Sequence, residues 1–517
     1  MTDEDKPIII FVPGLYGSAL GPASGGMKRR WNPPTSGIVS LATCKGKGHL
    51  DIKLPITWSE NEEGVYVQDE DDITAEGCLK VIQNKLLDYL DTLHKNNLID
   101  FFKIVWDWRR SFEETEKTIS EDIKSICSSG SRKVILISHG TGSMICWPTI
   151  NKNPEWFQAW VSTSGVTQYG STKYLKEFDQ GLARLIGKKP LIKVMSEEAY
   201  FSFAGLYSYF PVKGEQIEGP GESNLVKADG TYYNLDDIDL HNVSTWEKLS
   251  LGIFKWKEEP VTEEEKKHLQ HALDAAKRFR KKHFGPDISL EKDIGAYAHL
   301  KIICFGNDKF KAHSAFQVNA DETAINVSKS EVTSAGDMSV AATTWQTIPG
   351  GLEPEVVMAE RFSTHFTMVN DRKLRYLLMD IFFEKEDDKK ASCAEILKAM
   401  DQDRDQTKLI AAIFLIFSFL LGYGGLKVFV DLVGFLYPAY MSLQYNPKVN
   451  TDDAIQWMSY WLVYFTMYMT EGLFPALFKQ VPYYFSIKMG IYVWLCHPDT
   501  HGAKVLYDEL ITRKKTD

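Results

Sequence analysis

Short apolar runs recur through the first 385 residues, at Ile8 to Val12, Val134 to Ile137 and Leu300 to Phe305, each bounded by small or polar residues. Runs of this length without alternation predict strands buried on both faces, the habit of a parallel sheet. Between them lie stretches such as Glu114 to Cys127, whose apolar positions recur at helical spacing. Strands alternating with amphipathic helices predict an α/β fold with helices on both faces of the sheet. Gly214 to Asp239, rich in Gly, Pro, Asn and Asp, reads as an excursion from this pattern, and the charged stretch Glu258 to Lys282 as an exposed helix. Together they predict a cap region.

The pattern then changes. Glu384 to Lys408 is dense in Glu, Asp and Lys, which suits a solvated linker or surface helix. Four apolar segments come after it: Leu409 to Leu421, then one containing Lys427, Asp431 and Pro438, a third ending near Glu471 and a fourth containing Lys488. Crossing a bilayer core takes about 20 consecutive apolar residues, and these segments are short or interrupted by charge. They predict helical hairpins that enter and leave the membrane on one side. Trp457, Tyr460, Trp461, Tyr464, Tyr468, Tyr483, Tyr484, Tyr492 and Trp494 add the aromatic density favoured at membrane interfaces. Buried helices of a soluble bundle are the competing explanation. The expected organisation is an α/β domain over 1–385, a charged linker over 386–408 and an all-α membrane hairpin domain over 409–517.

Composition removes several function classes. With a formal net charge of −10 over 517 residues, there is no broad basic surface to neutralise phosphates, and nucleic acid is not an expected partner. The seven cysteines lack Cys-x-x-Cys spacing, so neither a metal site nor a disulfide framework is expected, and no cofactor is implied. The opening MTDEDKPIIIFVPG lacks the basic start and long apolar stretch of a secretory signal, which places the N-terminal domain in the cytosol as an expectation.

One segment carries a chemical signature. In Val134 to Gly142, VILISHGTG, an apolar strand runs into a tight small-residue turn and then another apolar stretch. An α/β hydrolase places its serine in such a turn, at the third position of Gly-x-Ser-x-Gly. Here that position is Gly140.

Phe11 to Leu20 (FVPGLYGSAL), Trp106 to Arg109 (WDWR), His139 with Gly142 and Ser143, Gly336 with Asp337, and His365 occur in an order that resembles the lecithin:cholesterol acyltransferase family of α/β hydrolases. The resemblance implies an α/β-hydrolase fold with a cap. It further implies backbone donors at Leu15 and Thr141 for an oxyanion hole, Asp337 as orienting carboxylate, His365 as base, and Gly140 at the nucleophile's place. This sequence departs from the family at Gly336 to Ala341, GDMSVA in place of Gly-Asp-Gly-Thr-Val-Pro. It departs again at Ser164 to Gly170, where the family has a Pro-Trp-Gly-Gly turn. Glycine has nothing with which to attack an acyl carbon. Displaced hydroxyls on Ser138, Thr141 or Ser143 remain candidates, and Asp337 with His365 could equally be a pair retained to brace two loops.

The last hundred residues resemble the receptor expression-enhancing family. The resemblance rests on Gly434 to Leu443, Asp453, Gln456, Trp457, Tyr460, Trp461, Glu471, Pro482 to Tyr484, Lys488, Trp494, Pro498, Gly502, Ala503 and Tyr507. It implies an endoplasmic reticulum protein whose tandem hairpins widen the cytosolic leaflet and favour curved tubules. Membrane lipid is the implied partner, with homo-oligomers or hetero-oligomers with other tubule-shaping proteins, and both the N-terminal domain and the C-terminus face the cytosol. Ala503, Leu506, Tyr507 and Leu510 share one helical face, so a short amphipathic C-terminal helix or a frayed terminal one is expected. The function so implied is membrane shaping by a protein with a serine-less acyltransferase-like domain. The alternatives are an active acyltransferase or phospholipase held against its lipid, and an adaptor that brings cargo to tubules.

Overall fold

A computed structural model describes residues 6–23, 52–128, 132, 134–165, 170–171, 173–180, 196–212, 225–234, 236–285, 290–384, 386–399, 425–444, 451–474, 484–497 and 500–509. Several expectations lie outside the described residues: the apolar segment 409–421, residues 214–224 of the excursion, 166–169 of the departing turn, 482–483, and the chain from 510 onward. The protein forms two compact units, Met1–Leu397 and Lys398–Asp517.

The first unit is built on a six-stranded parallel sheet. Its strands are β1 (Ile8–Val12), β2 (Asp100–Lys103), β3 (Val134–His139), β4 (Ala159–Thr163), β5 (Lys301–Gly306) and β6 (Glu355–Met358), arranged β6-β5-β4-β3-β1-β2. Ile8 pairs with Asp100 on one side and Val134 on the other, and Ile135 pairs with Ala159. Every residue of β1, β3 and β4 is buried, as strands covered on both faces are, and the apolar runs at Ile8 to Val12 and Val134 to Ile137 fall within the first two.

Local sequence sets the starts of three helices in this unit. Helix α1 (Phe112–Cys127) is capped by Ser111, whose hydroxyl accepts from the Glu114 amide, and helix α2 (Thr141–Lys152) starts with one residue between it and the end of β3. Helix α3 (Glu263–Phe284) opens with a reciprocal capping box between Thr262 and Glu265. The expectation of an exposed helix here is corrected. Leu269, Ala272, Leu273, Ala276, Phe279, Arg280 and His283 form a buried stripe at helical spacing, which the surrounding lysines and glutamates concealed in the sequence. Similarly, 387–399 of the charge-dense stretch is helical, with Cys393 and Leu397 buried one turn apart.

The segment Trp106 to Arg109 ties the end of β1 in place. Trp106 donates its indole N–H to the Pro13 carbonyl at 2.8 Å, and Trp108 donates to the Ser18 carbonyl at 3.1 Å. Arg109, fully buried, binds Asp71 and Asp107 at 2.6 Å each and the carbonyls of Ile52 and Ile73 at 3.1 and 3.2 Å. Burial alone would lower its pKa; the two carboxylates outweigh that and hold it raised. A guanidinium with its donors satisfied in this way is tolerated in an interior that would reject it unpaired.

The second unit is helical: α4 (Gly425–Gln444), α5 (Thr451–Leu473), α6 (Tyr484–Cys496) and α7 (Gly502–Tyr507). Val430, Tyr460, Tyr464, Tyr492, Leu495 and Ala503 form its core. Gln456 fastens α5 to both later helices, donating to the Leu495 carbonyl at 2.6 Å and accepting from the Lys504 amide at 2.8 Å. Among the described residues, no helix is long and apolar enough to cross a membrane. On α5, however, Met458, Leu462, Phe465 and Met469 recur at helical spacing and are all exposed. The unit therefore carries an apolar outer stripe as well as an apolar core.

Pro438 sits inside α4. A proline has no N–H, so the carbonyl four residues earlier, at Gly434, loses its helical donor. The Tyr460 hydroxyl, from α5, donates to that carbonyl instead. This exchange generates a direct test. Tyr460→Phe is expected to destabilise the unit by about 1–3 kcal/mol by leaving a buried carbonyl unmatched, and the cost should shrink when Pro438→Ala restores the helical donor. Thermal unfolding of the detergent-solubilised chain in a double-mutant cycle measures this; equal costs in the two backgrounds would refute the exchange.

Candidate functional site

The sharpest feature of the N-terminal unit is the junction between β3 and α2. A single residue, Gly140, separates them, with φ +49° and ψ −119°, a conformation that L side chains rarely adopt. Its N–H donates to the Thr163 carbonyl at 3.0 Å and its carbonyl accepts from Ser143 N–H at 3.1 Å, so both sides of the turn are fixed. A Cβ on Gly142 would press within 2.7–2.8 Å of the Pro13 and Val12 carbonyls, which makes glycine a steric requirement there. A Cβ on Gly140 would meet something different. Its nearest neighbours would be His365 Nε2 at 3.2 Å and Cε1 at 3.3 Å.

His365 is held from behind. Its Nδ1 lies 2.9 Å from Asp337 Oδ2, and its backbone N–H donates to the Asp337 carbonyl at 3.0 Å. The other carboxylate oxygen of Asp337 accepts from the amides of Ser339 and Val340 at 2.9 and 2.8 Å. Burial by itself would push the Asp337 carboxyl up; His365 and these two amides outweigh it and keep the group below the usual carboxylate range. With Nδ1–H given to Asp337, the Nε2 lone pair faces the space above Gly140. His139, fully enclosed and 4.9 Å from His365 between ring centroids, is pushed down to about 3 by burial and then by its neighbour, so it stays neutral.

Leu15 lies in the turn after β1, closed by a bond from Gly17 N–H to the Gly14 carbonyl at 2.9 Å. A Cβ on Gly14 would stand 2.9 Å from the His139 carbonyl, so this turn lies against the end of β3. Thr141 is the first residue of α2, where the helix leaves amides without intrahelical acceptors. Leu15 and Thr141 are thus brought to the ends of adjacent strands, beside Gly140, Asp337 and His365.

The other hydroxyls are engaged elsewhere. Ser143 Oγ lies 2.8 Å from Ser138 Oγ and accepts from Ser162 Oγ at 2.9 Å, while Ser138 also accepts from the Trp160 indole at 2.8 Å. Thr141 Oγ1 pairs with the Tyr209 hydroxyl, which stacks on Tyr174 at 3.8 Å. Among the described residues, no hydroxyl is hydrogen-bonded to His365 Nε2. Tyr209, Trp160 and Ser162 had no signal in the sequence, because they reach the turn from 19 to 68 residues away. Met338, at one departure from the family pattern, has φ +82°, so a side chain occupies a backbone conformation suited to glycine. No group of three or more His, Cys, Asp or Glu that could hold a metal occurs among the described residues.

The second unit has its own polar centre. Lys488 is fully buried, with Nζ 2.6 Å from Asp431 Oδ1 and 2.5 Å from Glu471 Oε2, joining α4, α5 and α6 through one ammonium. Tyr464 from α5 donates to the Asp431 carbonyl at 3.1 Å. Three of the charges that interrupt the apolar segments in the sequence, Asp431, Glu471 and Lys488, are therefore partners.

Comparison with known proteins locates this second unit. The TB2/DP1, HVA22 family profile matches residues 438–514. Protein YOP1 of Mycosarcoma maydis is 33% identical over 133 residues, 25% of this chain and 77% of that protein. Receptor expression-enhancing protein 4 of Xenopus laevis is 41% identical over 86 residues, and receptor expression-enhancing protein 2 of Homo sapiens 33% identical over 85; the chain spans 33% and 34% of their lengths. Through this C-terminal region the chain belongs to the TB2/DP1, HVA22 family.

Proposed function

We propose that this protein shapes or organises the endoplasmic reticulum membrane through its C-terminal unit, and that its N-terminal unit is a cytosolic α/β-hydrolase-like domain of the lecithin:cholesterol acyltransferase type without a nucleophile. The domains run 1–385 and 409–517 with a charged linker between, and both termini face the cytosol. Family membership carries the first part. The exposed stripe Met458, Leu462, Phe465 and Met469 supports it, since an apolar face on a helix whose inner face already builds a core suits contact with lipid tails. Hairpins that enter and leave on one side add area to that leaflet and so favour curvature. Pairing Lys488 with Asp431 and Glu471 lessens the cost of carrying those charges into a bilayer.

Overproduction of the full chain is expected to convert sheet-like reticulum into narrow tubules, visible by electron microscopy. Unchanged membrane shape at high expression would argue against the shaping role.

For the N-terminal unit, the position of Gly140 carries the reading. A side chain there would point at His365 Nε2, the nitrogen that a hydroxyl nucleophile would have to reach, and glycine supplies none. The hydroxyls of Ser138 and Ser143 are locked in their own buried network, which disfavours a displaced nucleophile. Without an acyl-enzyme, the domain binds a lipid rather than turning it over.

Wild-type protein is therefore expected to resist labelling by a fluorophosphonate, whereas Gly140→Ser is expected to gain labelling and ester hydrolysis, both abolished by adding His365→Ala. Serine at this turn costs about 1–3 kcal/mol of strain, so the melting temperature is measured alongside. Stoichiometric labelling of wild-type Ser138 or Ser143 would overturn the assignment. A folded Gly140→Ser protein that stays inert would place the loss in the surrounding loops instead.

A further inference from the structure

The two loops that meet at His365 carry large apolar side chains that are half or more exposed. Met338 follows Asp337 and is 57% exposed; Phe366 follows His365 and is 52% exposed; Phe362, three residues before it, is 81% exposed. The bond from His365 N–H to the Asp337 carbonyl at 3.0 Å fastens these loops together, so the three side chains belong to one neighbourhood. A loop that only braced a buried pair would need no such residues at its surface.

The rings also carry cations. The Lys173 ammonium lies over Phe366 at 5.1 Å from its centroid, and the Arg361 guanidinium over Phe362 at 5.8 Å. The acids nearby are largely committed. Asp371 is buried and takes bonds from Ser363, the Glu360 amide and the Lys373 amide. Glu177 lies 3.4 Å from Lys173 and accepts from the Tyr200 hydroxyl at 2.8 Å, and Asp308 lies 2.6 Å from Lys309. Glu360 is the exposed acid on the loop itself. Cations above phenyl rings at loop tips, on a chain of formal net charge −10, mark a patch set apart from the rest of the protein.

We infer that Met338, Phe362 and Phe366, with Lys173 and Arg361, form a docking surface by which the N-terminal unit rests its candidate site on an anionic phospholipid bilayer. Phenyl and thioether side chains enter the headgroup boundary, and the two cations meet lipid phosphates or carboxylates there. The C-terminal unit supplies the proximity: a patch too weak to hold a free protein on a membrane becomes effective when the same chain is already anchored there. The inference rests on the membrane placement proposed above and is independent of whether the Gly140 site turns over an ester. Its functional content is placement, since it sets the edge of the unit where Gly140 faces His365 against the bilayer.

The test is hydrogen exchange on the full chain reconstituted into phosphatidylcholine vesicles with and without phosphatidylserine, beside the chain in detergent. Flotation verifies membrane association in each case. In phosphatidylserine vesicles, peptides over 337–341 and 361–367 are expected to exchange about tenfold more slowly than in detergent. A Phe362→Ser, Phe366→Ser double variant is expected to lose that protection while exchange in β1 and β3 is unchanged. A chain that does not float overturns this inference together with the membrane reading. One that floats with these loops exchanging as fast as in detergent overturns the docking alone. Protection that rises with protein density in the vesicles, whatever the lipid, assigns the patch to a second copy of the chain and also overturns it.

Discussion

The N-terminal unit is arranged around one geometric constraint: a central parallel strand must turn into a helix within a single residue. The turn brings α2 so close to the end of β1 that Gly142 has no room for a side chain, and it puts Gly140 at a positive φ. Gly140, His365 and Asp337 meet at that edge. The Pro13–Ser18 segment is pinned by Trp106 and Trp108, and Asp337 orients His365 so that its free nitrogen faces the turn. A side chain at Gly140 would strain this backbone and meet the His365 ring; glycine avoids both.

The second unit depends on a different device, in which side chains repair what the backbone lacks. Pro438 deprives Gly434 of its donor and Tyr460 replaces it; Gln456 bridges the end of α6 to the start of α7; Lys488 binds one carboxylate from each of the other two long helices. These contacts are polar, directional and internal, and they sit beside an apolar core while a further apolar stripe on α5 faces outward. In the N-terminal unit the apolar residues are mostly packed inward against the sheet.

Much of this was legible in the sequence where the signal is local. Ile8 to Val12 reads as a buried strand and is one, and the strand-to-turn transition at His139 and Gly140 falls where the small residues place it. Asp337 and His365 are 28 residues apart and could be paired only through the resemblance, which also singled out Trp106 to Arg109 without saying what they do. What stayed hidden was non-local or masked by composition. Tyr209 reaches Thr141 across 68 residues, and the Ser138, Ser143 and Ser162 network needs three separate elements. The buried stripe of α3 lay beneath a surface of lysine and glutamate. Lys488 and Asp431 each look like an interruption in the sequence, because a linear reading records a charge without its partner.

The buried ammonium also constrains how the protein can be made. Asp431 leaves the ribosome 57 residues before Lys488, and Glu471 leaves it 17 residues before. Until Lys488 is made, α4 and α5 each carry a carboxylate whose shared counter-charge is missing, so their packing against each other cannot be completed before α6 arrives. The polar centre of the second unit therefore closes last, and a chain truncated before Lys488 would hold both acids without the ammonium they share.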